Sequence, residues 1–160
     1  MVKYTWNTSE VPSNLKVRQV YGIAFSNNFE ILLRIEDGKY ELTGGKPEKN
    51  ESYEETLKRE YIEELNVELE ECYYLGYLLV EEKCEIYAQV RMIAKIKNIN
   101  ENHIDPATGK MYGRKLVGVD EVKKLLNYQD EAGNLMIERA IKIAKEKYNF
   151  KDFNTNEETI

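Results

Sequence analysis

Residues 45–67 read GKPEKNESYEETLKREYIEELNV, and this stretch decides the fold. Ser52, with Glu55 three residues on, makes an N-cap and a capping box. Tyr53, Leu57, Tyr61 and Leu65 recur every four residues and form one apolar stripe, as in a helix that buries a face. Asn66 stands where such a helix ends, because Asn accepts the left-handed conformation found just past a helix C-terminus. The spacing therefore predicts a helix over 52–65, preceded by a glycine turn at Gly44-Gly45, where the backbone can come close to a ligand. With Glu60 set at zero on the helical wheel, Glu64 falls at about +40° and Glu63 at about −60°. Three carboxylates thus share one side of the helix, beside the apolar stripe. Like charges at this spacing destabilise an isolated helix by roughly a few tenths of a kcal/mol per pair. No lysine one turn on relieves Glu60 or Glu64. The plain reading is a solvated acidic face. The functional reading is a seat for a hard divalent cation, whose preferred ligands are carboxylate oxygens.

Outward from this helix, residues 17–25 and 30–35 read as strands separated by the turn residues Ser26-Asn27-Asn28. Asp37-Gly38 makes a second turn, and 39–43 reads as a third strand. The polar start, 1–14, carries Pro12 and reads as a loop or an edge strand. After the helix, 72–80 and 85–96 are dense in β-formers, with Glu81-Glu82-Lys83 turning between them. Residues 98–113 form a long polar loop with Pro106, Gly109 and Gly113. A short strand is expected over 116–119, and a short helix over 121–126 capped by Asp120. A last helix, capped by Asn134, is expected to run to about Tyr148, with Leu135, Ile137, Ile141, Ala144 and Tyr148 inward. From Lys151 on the chain is polar and is expected to fray. This order predicts an α+β fold, an α/β/α sandwich with a mixed β-sheet between helices. It implies a single domain over 1–160, in which the leader 1–14 and the tail 151–160 are loosely ordered.

The bulk numbers narrow the function classes. A chain of 160 residues, 42% hydrophobic and 32% charged, suits one soluble globular domain. No apolar run approaches the roughly 20 residues of a membrane span. The start lacks a basic segment followed by an apolar one, so a cytoplasmic location is expected and membrane association is not. The net charge of −6 disfavours uniform binding to nucleic acid. An acidic protein that binds a phosphorylated ligand needs local positive charge, which a divalent cation supplies. Cys72, Cys84 and the one histidine, His103, are too few and too scattered for a structural zinc site. The two cysteines flank the turn expected at 81–83, which would bring them near each other across a hairpin; they are read as free thiols that pack as small apolar residues.

The wider spacing carries the stronger signal. Gly45, five residues, Glu51, seven residues, Arg59-Glu60, two residues, then Glu63-Glu64 matches the core of the Nudix box, G-x5-E-x7-R-E-U-x-E-E-x-G-U. The chain resembles the Nudix hydrolase (MutT-like) family over these residues, and more loosely from Val17 to Tyr148. Three positions depart from the pattern: Asn66 for the usual glycine, Tyr61 for an aliphatic residue, and Thr43 before Gly44-Gly45 where proline is frequent. None removes a carboxylate.

The resemblance implies a Mg²⁺-dependent hydrolase, with Mn²⁺ as a substitute. Such an enzyme cleaves the diphosphate linkage of a nucleoside diphosphate joined to another group. It implies Gly45 (through its carbonyl), Glu60, Glu63 and Glu64 as the metal-binding set, and Glu63, Glu60, Arg59 and Glu51 as the catalytic group. In that group Glu63 is a further ligand or the base that activates water, and Arg59 pairs with Glu51 to orient the glutamates. A ligand from outside the box is sought among Glu81, Glu82, Glu85, Glu101 and Asp105. Arg34, Tyr112 and Arg114 are weaker candidates for contact with the ligand. The expected partner is a small nucleotide-type diphosphate, and an edge strand near the N-terminus offers a route to a homodimer. The alternative is the same fold used as a non-catalytic nucleotide-sensing or protein-binding module.

Overall fold

The computed structural model describes residues 1–128 and 130–150; the tail from Lys151, read above as frayed, lies outside the described residues. The chain runs β1 (Lys3–Asn7), β2 (Val17–Phe25), β3 (Glu30–Glu36), β4 (Lys39–Glu41), β5 (Thr43–Gly45), α1 (Tyr53–Leu65), β6 (Val67–Glu82), β7 (Glu85–Ile99), β8 (Gly113–Gly118), α2 (Val122–Leu125) and α3 (Glu131–Lys147). The strands form one sheet in the order β1-β6-β7-β2-β3-β4, with β5 added to β2 and β8 to β3. β2 runs parallel to β7, while the other pairs are antiparallel, so the sheet is mixed.

Alternation along β2 assigns the layers. Val20 and Ala24 join an apolar cluster with Leu57, Tyr61 and Leu65 of α1. Ile23 and Phe25, on the opposite face, join a cluster with Met136, Ile137, Ala140 and Ala144 of α3. The sheet is thus covered by a helix on each face, which is the expected α/β/α sandwich.

α1 forms as its sequence dictates. Ser52 Oγ accepts from the Glu55 N–H at 3.1 Å, and Glu55 Oε1 accepts from the Ser52 N–H at 2.9 Å. Asn66 is left-handed, at φ 53° and ψ 47°. Leu57, Tyr61 and Leu65 are fully buried, each contributing about 1.5–3 kcal/mol of hydrophobic stabilisation. The unusual Tyr61 places its hydroxyl by donating to the Gly22 carbonyl at 3.0 Å.

Several boundaries differ from the sequence reading. The expected strand 39–43 is two short strands. Gly44-Gly45 does not end regular structure but pairs with β2, Gly44 opposite Tyr21 and Gly45 opposite Val20. β6 starts at Val67, directly after the helix, and its pairing with β7 shifts register three times. β8 begins earlier than expected, at Gly113. Asp120 does not cap α2, which has Glu121 at that position and no side-chain cap bond. α3 is capped by Asp130, whose side chain accepts from the Gly133 N–H, so the helix starts before Asn134 and Leu135 points outward, 46% exposed. The leader contributes β1, which pairs with β6 as an edge strand. Cys84 sits at the β6–β7 turn while Cys72 lies far down β6, so the two thiols are apart and free. Burial pushes the Cys72 thiol up to about 12. No helix among the described residues is long and apolar enough to cross a membrane.

Candidate functional site

The site is built where β5 delivers Gly45 against α1. A Cβ on Gly45 would lie 2.3 Å from Glu60 Oε2, so the Glu60 carboxylate rests directly on the glycine backbone. Gly44 is constrained by a different neighbour: its Cβ would lie 2.0 Å from the Val20 carbonyl oxygen.

Arg59 organises the loop–helix junction. Its Nε and Nη2 donate to Glu51 at 2.6 and 2.9 Å, a bidentate pair. Nη2 also donates to the Lys46 carbonyl at 3.0 Å. Nη1 reaches Glu60 at 3.3 Å and Glu63 at 3.2 Å. Glu51 accepts further from Thr56 Oγ1 and from the Glu48 N–H. The Arg59 guanidinium holds the Glu51 carboxyl well below the usual range, at about 2. The pairing expected between Glu51 and Arg59 is therefore present.

Arg34, on β3, serves the other side. It bonds to Glu64 through Nη1 and to Glu41 through Nη2 at 2.9 Å, and its guanidinium stacks 4.5 Å above the Tyr112 ring centre. Its Nε is buried with no partner. Burial pushes the Glu64 carboxyl up to about 7 against the pull of Arg34, with Glu60 and Asp105 adding repulsion. Burial likewise lifts Glu60 to about 6 against the pull of Arg59, with Glu63 and Asp105 adding repulsion.

The long loop after β7 is attached to the end of α1. His103 Nε2 lies 2.8 Å from the Ile62 carbonyl and 3.0 Å from that of Glu63, and Arg114 Nη1 donates to the Leu65 carbonyl at 2.7 Å. α1 has no basic residue in its last turn, so these two side chains satisfy the carbonyls that a helix end leaves open. Sequence reasoning gave His103 no such role and offered Arg114 as a ligand contact; a helix end and a loop residue about 40 positions away become neighbours only in the fold. Tyr112, also offered as a ligand contact, lies under Arg34 and is buried.

Of the five acids weighed as outside ligands, the structure brings Asp105 to the cluster. It is 3% exposed, and its charge acts on both Glu60 and Glu64. Glu81, Glu82 and Glu85 sit at the far β6–β7 turn, and Glu101 is exposed. As they stand, no three Asp, Glu, His or Cys side chains among the described residues are gathered to hold a metal ion; Glu60, Glu63 and Glu64 are engaged by Arg34 and Arg59. Two observations nonetheless fit a hard cation. The Glu60 carboxylate has a glycine backbone beside it that a Cβ would block, and the Glu60 and Glu64 carboxyls are desolvated and mutually repelling, which a divalent ion would relieve.

A family model, the NUDIX domain, matches residues 18–138. The chain belongs to the NUDIX family. The match spans the glycine turn, α1 and both long strands, so the box at 45–67 sits inside the matched segment. No curated protein matches the sequence significantly. Among solved structures, a point mutant of the Bacillus subtilis pyrophosphohydrolase BsRppH superposes at TM-score 0.71 and 22% identity, covering 91% of this NUDIX chain and 93% of that one. A NUDIX hydrolase from Nitrosomonas europaea gives 0.58 at 18% identity, covering 83% and 93%. A MutT structure from Aliivibrio salmonicida or Vibrio cholerae gives 0.55 at 19% identity, covering 78% and 94%. These likenesses establish the NUDIX fold.

Proposed function

We propose that this NUDIX protein is an enzyme, a pyrophosphohydrolase that uses Mg²⁺, or Mn²⁺ in its place, to cleave the anhydride of a nucleoside diphosphate joined to another group. The observation that carries the reading is the Glu60 carboxylate lying on Gly45, next to Glu64 and within reach of Arg59. Glu60, Glu64 and the Gly45 carbonyl would hold the cation, with Asp105 as the added acid from outside the helix. The cation, when bound, supplies charge for the phosphate oxygens and acidifies water. Glu63 takes the proton from the attacking water; its greater exposure, 32% against 13% for Glu60 and 7% for Glu64, supports that role. Arg59, locked on Glu51, keeps Glu60 and Glu63 in register. Arg34, bonded to Glu64 and Glu41 at the edge of the acidic cluster, would donate to a phosphate of the substrate.

The test is incubation of the folded protein and Mg²⁺ with nucleoside triphosphates, ADP-ribose, nucleotide sugars and dinucleoside polyphosphates. Release of a phosphate-bearing product from at least one is expected, and no release from any contradicts the reading. The second reading is a nucleotide-sensing module without turnover. The engagement of all three helix acids by arginines favours it, and calorimetry showing nucleotide binding with no hydrolysis would select it.

A further inference from the structure

Asn66 stands where the Nudix pattern has glycine, and ending the helix does not use all that it brings. Its left-handed backbone, at φ 53°, is one that glycine adopts without strain. The side chain does something glycine cannot. Nδ2 donates to the Glu101 carbonyl at 2.8 Å, 35 positions on, in the long loop after β7. The Asn66 carbonyl also accepts from the Asn100 N–H at 3.1 Å.

That bond is one of a set. With the Ile62 and Glu63 carbonyls at 2.8 and 3.0 Å, His103 Nε2 carries the ring proton and faces both. Arg114, just past the loop, donates to the Leu65 carbonyl at 2.7 Å. The open carbonyls of the last turn of α1 are thus taken by the loop and its exit rather than left to water. The loop is also tied to itself. Asn102 Nδ2 donates to the Tyr112 carbonyl, and the Asp105 N–H to the Lys110 carbonyl, each at 2.8 Å. Asp105 lies between these ties, two residues past His103, and is buried. Its Oδ1 accepts from the Ala107 N–H at 2.8 Å, and Ala107 lines one cavity with Arg59, Glu60 and Glu63.

We propose that Asn66 and His103 are positioning residues, which clasp the loop to the end of α1 and so hold Asp105 in register with Glu60 and Glu64. The Asn66 amide and His103 Nε2 are committed to carbonyls, so they act through Asp105 rather than as ligands. A carboxylate on a free loop must be ordered each time a cation binds, and that entropy is lost from the affinity. The clasp meets the cost in advance, by fastening the loop to the same turn of helix that carries Glu63 and Glu64. The proposal rests on the reading of Glu60 and Glu64 as a cation site.

Asn66→Gly is the test variant, because glycine keeps the left-handed helix end and removes only the side-chain bond. Calorimetric titration of Mn²⁺ into the full chain reads the site without turnover. Affinity is expected to fall about tenfold in Asn66→Gly and in His103→Ala, while Asn66→Gly melts near the wild-type temperature. Hydrogen exchange at the Asp105 and Gly109 amides is expected to quicken in both variants. In an Asp105→Asn background the clasp has nothing left to position, so adding Asn66→Gly is expected to change Mn²⁺ affinity no further. Wild-type affinity in Asn66→Gly overturns the proposal, and so does an equal loss with and without Asp105. If Asn66→Gly does not fold, His103→Ala decides by the same two criteria. Mn²⁺ binding by the wild type that Asn66→Gly leaves unchanged removes the clasp and keeps the cation site; no binding by the wild type removes both.

Discussion

Glu64 and Glu51 are both carboxylates bonded to an arginine, yet their surroundings push them in opposite directions. Glu64 is buried beside Glu60 and Asp105 and is lifted to about 7. Glu51 is more solvated, held by two Arg59 donors, Thr56 and a backbone N–H, and is depressed to about 2. The first is a desolvated carboxyl among like charges and the second is a satisfied structural contact. Glu64→Gln keeps a hydrogen-bonding partner for Arg34 but loses the charge. Turnover in that variant is expected to fall by roughly two orders of magnitude or more, with little loss of stability by thermal melting. Equal turnover would remove Glu64 from the metal set. For Glu51 the sign follows from the depressed value. An unfolded Glu titrates at about 4.3, so the folded state gains stability from ionised Glu51 at every pH above that, and loses the gain as pH falls toward about 2. Urea unfolding of Glu51→Gln should show a deficit of about 2 kcal/mol at pH 7 that shrinks below pH 4. A deficit independent of pH would mean that packing, not the ion pair, is what was lost.

At the scale of the elements, Gly44 and Gly45 are adjacent and required for different reasons. A side chain at Gly44 meets the Val20 backbone, which cannot move without unpairing β5 from β2. Gly44→Ala should cost about 3 kcal/mol of stability. A side chain at Gly45 meets the flexible end of Glu60. Gly45→Ala should therefore fold, with a melting temperature near wild type, but lose activity about a hundredfold because Glu60 is displaced. Comparable melting temperatures for the two variants would contradict this division. The helix between glycine turn and Asn66 was legible in sequence because its signals are local: Ser52 with Glu55, the four-residue stripe, and an Asx residue at the end. α3 was misplaced because two Asx residues, Asp130 and Asn134, compete as caps, and Gly133 argues against a helix that starts before it. Gly133 is tolerated there because its N–H binds Asp130, and a Cβ would crowd Asp130 and Tyr128.

For the whole molecule, the α/β/α layering could be anticipated from element order, since β2 carries apolar residues on both faces and must be covered twice. The contacts that assemble the site could not. His103, on the long loop, reads in sequence as an ordinary polar residue, while Arg34 and Asp105 stand there only as candidates among several that nothing local tells apart. Their meaning arises when β3 and the loop close over α1 and β7 lies beside β2. The cluster that results holds Glu60, Glu63, Glu64 and Asp105 against Arg34 and Arg59, an excess of acid within a domain that is already acidic. Binding of a divalent ion to the folded state alone should raise its stability, by about 2.7 kcal/mol at a hundredfold excess over Kd. Calorimetric titration of Mn²⁺ into the wild type and into the Glu60→Gln, Glu64→Gln double variant tests the central claim most directly. The account predicts saturable binding by the wild type and its loss in the folded variant; undiminished binding by the variant, or none by the wild type, would contradict it.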